Sequence, residues 1–236
     1  MAITVLSTST GAGASFAHTI TVGGTNRMFI VASAHWSATY DFTGIAFNGK
    51  AGTLLMTQSG TTPSYLLCQY WMDKDLPGAG ASNVVISGAG ADVASTGTLV
   101  SGVDQTNPIV SATALFTNVL SAFMAKPPPG WLFMAGSTLL SNANTPGPSL
   151  TSVLQIGSAG NSRAISAVSV AENQAALWGY TSTGDVRTSL GVARLREALP
   201  RKSFTTAKQF IRRQTHASLS VAETGAQKSS FTYRQR

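Results

Sequence analysis

Three observations predict an all-β protein, a two-sheet antiparallel sandwich. Apolar runs are short and separated by turn residues, helical periodicity is almost absent, and the surface chemistry is hydroxyl-rich rather than ionic. Only 11% of the 236 residues are charged and 23 are glycine, a composition suited to many tight turns between short strands. The sandwich is expected over residues 1–198 and a basic extension over residues 199–236, with a short helix at 203–215.

Phe16, His18, Ile20 and Val22 alternate with small or polar residues, the period of a half-buried strand. Gly23-Gly24-Thr25-Asn26 turns the chain, and Met28 to Ala32 reads as a strand buried on both faces. Ile45 and Phe47 alternate into Asn48-Gly49, a hairpin signal answered by Leu54-Leu55-Met56. Tyr65 to Met72 is a strand ended by Asp73-Lys74-Asp75-Leu76-Pro77-Gly78, and the lone Cys68 within it reads as a buried thiol. Val84-Val85-Ile86 and then Val93 to Val100 follow. Ile109 to Phe116, Trp131 to Ala135, Val153 to Ile156, Ala164 to Val170, Ala175 to Tyr180 and Thr188 to Leu195 complete the set. Thr117 to Met124 could be strand or short helix, and Asn142 to Ser149 reads as loop.

The stretch around which the rest is organised is Leu99-Val100-Ser101-Gly102-Val103-Asp104-Gln105-Thr106-Asn107-Pro108-Ile109. Pro108 fixes its own φ and pushes Asn107 to an extended conformation, while Asp104 and Asn107 can bond nearby amides. A rigid corner between two strands is predicted.

The order of these features resembles a family of jelly-roll, lectin-like β-sandwich domains from bacteriophage and bacterial proteins. The resemblance is carried by Ser15-Phe16-Ala17-His18-Thr19, Asn26 to Val31, Ile45 to Gly49, Tyr70-Trp71 and the closing strand Ser189 to Arg196. Its most specific part is Ser101-Gly102-Val103-Asp104-Gln105-Thr106-Asn107-Pro108-Ile109. It covers roughly residues 1–198 and implies a jelly-roll-like fold presented on a virion or cell surface, with no reaction attached.

The net charge of +7 is unevenly placed. Residues 1–198 hold eight basic and eight acidic residues, whereas residues 199–236 hold eight basic residues against Glu223 alone. In that tail Arg201, Lys202, Lys208, Arg212, Arg213, Arg234 and Arg236 accompany the apolar Phe204, Phe210 and Ile211, the composition of an arm that docks on an acidic protein surface. Polyanions would also attract it, but stacking aromatics are few and nucleic acid is the weaker expectation.

Chemical motifs are weak throughout. Gly44 to Lys50 fits the first seven positions of a phosphate-binding loop, but Ala51 replaces the Mg²⁺-binding hydroxyl and Asn48-Gly49 favours a hairpin. Asp73-Lys74-Asp75 with Gly78 imitates a calcium loop but has Val84 at its twelfth position. His18, His35 and His216 show no ligand spacing, and no serine elbow is present. Carboxylate pairs for glycoside hydrolysis meet only in a fold. No catalytic residue, metal or cofactor is therefore expected. Trp36 and Tyr40, in a loop, are candidates for glycan contact.

No run reaches the ~18 apolar residues of a membrane span, and Met1 to Val5 lacks signal-peptide character. The expectation is a non-enzymatic structural protein of a tailed-phage particle, made in the host cytoplasm. It would be a head-decoration or fibre-type protein, homo-oligomeric in the particle and anchored by its basic arm. A carbohydrate-binding module is the alternative.

Overall fold

The structure, a computed structural model, describes residues 2–21, 23–36, 43–59, 64–88, 92–117, 121–124, 130–139, 143–146, 154–159, 162–171, 178–183 and 188–199. The strands of the first half are β1 (Thr4–Ala12), β2 (Ser15–Ile20), β3 (Met28–Trp36), β4 (Gly44–Phe47), β5 (Lys50–Ala51), β6 (Thr53–Ser59), β7 (Ser64–Met72), β8 (Gly80–Ser87) and β9 (Val93–Ser101). Those of the second half are β10 (Ile109–Thr117), β11 (Ser121–Met124), β12 (Gly130–Leu139), β13 (Ala143–Pro146), β14 (Leu154–Ala159), β15 (Ser162–Ala171), β16 (Trp178–Thr183) and β17 (Thr188–Leu195). A 3₁₀ turn at Asp73–Asp75 is the one helical element among the described residues.

Local chemistry explains the elements. Asn48 (φ 48°) and Gly49 (φ 76°) occupy the left-handed region that a two-residue hairpin turn demands. Strand β2 alternates exposed and buried residues throughout, burying Phe16, His18 and Ile20. The Asp73-Lys74-Asp75 run forms the 3₁₀ turn. One ambiguity is resolved and one expectation corrected. Thr117 to Met124, ambiguous between strand and short helix in sequence, holds the end of β10 and all of β11. Asn142 to Ser149, read as loop, contains β13.

The all-β jelly-roll sandwich expected from the sequence is present, and the chain builds it twice. In the first half β1-β9-β3-β7 and β2-β8-β4-β5 form the two four-stranded antiparallel sheets of a jelly roll, with β6 added beside β7. In the second half the sheets run β10-β17-β12-β15-β14 and β11-β16-β13. Matching β10 to β1, β12 to β3, β14 to β6, β15 to β7 and β17 to β9 makes the five-stranded orders identical. Matching β11, β16 and β13 to β2, β8 and β4 does the same for the smaller sheets, and only β5 has no counterpart among the described residues. One bulge agrees as well, although the bulge of β6 between Leu54 and Met56 has no counterpart in β14. Val5 faces Val100 and Ser7 faces Leu99, skipping Leu6; Ile109 faces Leu195 and Ser111 faces Arg194, skipping Val110. A bulge is a specific local event, so this coincidence aligns the halves residue by residue.

The central strands β3 and β9 of the first repeat's five-stranded sheet are buried on both faces. Toward the repeat's own smaller sheet, Phe29, Val31, Trp71 and Leu99 pack with Phe16, Ile20, Ile45, Phe47, Val84 and Ile86. Toward the second repeat, Met28, Ile30, Ala32, Leu66, Cys68 and Val100 pack with Phe133, Ala135, Val168, Ala193 and Leu195. This double burial is why Met28 to Ala32 is a continuous apolar run rather than an alternating one. At ~25 cal/mol per Å² of apolar surface removed from water, these two layers are the main favourable term in the fold.

Candidate functional site

Three features bear on function, and the first is the corner. Gly102 N–H donates to Thr25 O (3.0 Å), Val103 N–H to Asn26 O (3.0 Å) and Asp104 N–H to Arg196 O (2.8 Å). Arg196 N–H donates to Pro108 O and Ala198 N–H to Gly102 O, both at 2.7 Å. Gly102 must be glycine: its φ is +80°, and a Cβ would lie 2.5 Å from the Ala2 carbonyl oxygen. Asp104 Oδ1 accepts from Thr106 N–H (2.8 Å) and Asn107 N–H (3.1 Å), and these bonds hold its carboxyl below the usual carboxylate range.

Gln105 clamps the corner to the first repeat. Its Oε1 accepts from Asp73 N–H, and its Nε2 donates to the carbonyls of Arg27 and Val103, each at 3.1 Å. Arg27 in turn reaches Asp73 through Nε (2.9 Å) and Nη2 (2.7 Å), both onto Oδ1. Eight of the eleven charged residues among those described gather at this pole: Arg27, Asp73, Lys74 and Asp75, then Asp104, Arg194, Arg196 and Glu197. Four are positive and four negative, so the described charges of this pole balance. Leu199, 85% exposed, is the last described residue there, beside Ala198 on the corner.

The second feature is His18, buried between β1, β2 and β3 with its ring 4.3 Å from that of Phe29. Ser9 Oγ lies 2.6 Å from Nδ1 and Ser7 Oγ 3.1 Å from Nε2. Ser7 Oγ already donates to Thr19 O, which leaves it the acceptor of an Nε2 proton and makes Ser9 the donor to Nδ1. Burial pulls the imidazole pKa down to about 4. Among the described residues no carboxylate bonds the ring, as a serine nucleophile's base requires, and the two serines satisfy a neutral buried imidazole. His35, also buried, is lowered by desolvation and partly restored by Asp92. Cys68 is buried and its thiol is pushed far up by desolvation, so it is unreactive in the closed fold.

The third feature is the opposite pole, where β3 ends at Trp36. Strands β3 and β12 both start at the corner pole and end here, as their pairing with Val100 and Leu195 dictates.

Of the residues singled out by sequence, Trp36 closes β3 at this far pole. Tyr40 and the arm residues Arg201, Lys202, Phe204, Lys208, Phe210, Ile211, Arg212, Arg213, Arg234 and Arg236 lie outside the described residues. The clamp by Gln105 and the two serines on His18 were missed. Gln105 sits in the most specific motif of the chain, and Ser7 and Ser9 share an alternation that faces His18 once β1 folds on β2. No group of three or more His, Cys, Asp or Glu able to hold a metal occurs among the described residues. The chain matches no family model, no curated protein and no solved structure.

Proposed function

We propose that the chain is a non-enzymatic structural protein of a tailed-phage particle, a head-decoration or fibre-type protein held through its basic arm. The observation that carries this reading is the polarity of the molecule. The described charges of the corner pole balance, and the chain continues from that pole into a segment with eight basic residues and one acidic. An acidic neighbour would therefore be met by the arm, with Phe204, Phe210 and Ile211 giving residence and the cations steering. The jelly roll is an architecture of viral capsid and lectin domains, and fold by itself selects neither. The sequence resemblance favours the particle.

The test is to purify phage particles from the host that carries this gene and quantify the chain by mass spectrometry. Fixed stoichiometry with a known capsid or tail protein is the expected result; absence from washed particles would overturn the proposal.

The second reading, a lectin-like module for host-surface glycans, draws on Trp36 at the pole opposite the corner. Glycan-array binding lost in Trp36→Ala, with no chain in particles, would favour it.

A further inference from the structure

The two repeats meet through the same face of the same fold. In the first repeat Met28, Ile30 and Ala32 face the second; at the matching positions Trp131, Phe133 and Ala135 face the first. Both faces grade alike, from large side chains near the corner to small ones beyond, ending in Ala34 and Ser137, both buried. The stacking is reversed in order. Strand β10, the counterpart of β1, lies over β6, while β14, the counterpart of β6, lies over β1; β12 lies over β3 and β7. One face pairing with itself in reversed order is the isologous contact of a two-fold dimer, here within one chain.

We propose that this face is a self-association surface whose partner is a second copy of this chain. Two chains can exchange repeats, the second repeat of each packing on the first repeat of the other. The corner decides between closed and exchanged forms. It must carry the chain from β9 to β10, across three strand spacings of about 4.8 Å and one layer of about 10 Å, roughly 17 Å in all. Residues 102–108 span this with slack, since an extended link of that length reaches about 25 Å. Removing Gln105, Thr106 and Asn107 leaves four residues with a reach of about 14 Å, short of that span.

The test uses the full-length chain lacking those three residues, with two readouts: mass in solution and reaction of the single thiol. Cys68 lies in the contact between the repeats, so it reports whether the face is covered. The expected species has twice the mass of the unaltered chain's smallest species, with Cys68 closed to thiol reagent. A single-mass species with Cys68 open would contradict exchange.

A deletion can also prevent folding, so the unaltered chain is refolded from denaturant across a concentration series. A double-mass species with Cys68 closed, increasing with concentration and lost on dilute refolding, is expected. Its absence at every concentration, with no closed double-mass species from the shortened chain, overturns the proposal.

Discussion

His18 shows how one buried side chain ties stability to pH. Its pKa is about 4 in the fold against 6.5 when exposed. Above pH 6.5 both states hold a neutral ring and the fold keeps its full stability. Between pH 6.5 and 4 the unfolded chain takes up a proton that the folded one refuses, so stability falls as pH falls, by at most roughly 3 kcal/mol. His35, also lowered, acts in the same direction. Melting temperatures from pH 7.5 to 4 should therefore decline, and His18→Gln should flatten the decline; an unchanged slope would mean that the ring is reached by water.

Gln105 belongs to the same scale. Gln105→Ala leaves the Asp73 amide and the Arg27 and Val103 carbonyls without this partner, a cost of about 2 kcal/mol. Urea denaturation would measure it, and a midpoint equal to that of the parent would show that water replaces the amide.

Among the elements, the corner and the contact between β17 and β6 are the most sensitive. Pro108→Gly should lower stability by about 1 kcal/mol through added freedom in the unfolded chain; an unaltered denaturation midpoint would make the corner a slack connection. A Cβ at Gly191 would run into Met56 Sδ and Cγ. Gly191→Ala should cost about 1–3 kcal/mol by overpacking, read as a lowered melting temperature.

Elements bounded by strong signals were legible in sequence. Asn48-Gly49 marked its hairpin, and Thr188 to Leu195 coincides with β17. Less legible were segments whose pairing is set from a distance. Ala143–Pro146 looks like loop because Asn, Thr and Pro are turn formers, yet Thr183 to Tyr180 supplies it a strand partner. Pro146 lies at the end of an edge strand, where a missing donor is tolerated.

At the scale of the molecule, the duplication was invisible to a reading by local pattern. Most matched positions of the shared face carry different residues, Met28 against Trp131 and Ile30 against Phe133, alike only in being apolar and packed into the same contact. What the repeats share is strand order and a bulge, and both are properties of pairing across the chain. The corner was legible as a rigid joint, but not as the joint between repeats. Of the proposed site, the charge asymmetry was fully legible, because it needs only counting. The gathering of body charges at the corner pole was not, because Arg27, Asp73 and Arg196 are far apart in sequence.

The unit Met1–Leu199 holds both repeats and their shared core, so a chain ending at Leu199 should stay soluble and melt cooperatively. Aggregation of that chain alone would mean that the arm completes the core. The central claim is that the segment Arg201 to Arg236 attaches this body to an acidic partner in the particle. Its most direct measurement adds the full-length chain and the chain ending at Leu199 to particles that lack the protein, and quantifies incorporation across a salt series. Exposed charge pairs are screened while apolar anchors are not. The full-length chain should incorporate, less as salt rises but never to zero, and the shortened chain should not; equal incorporation of both at every salt concentration would contradict the account.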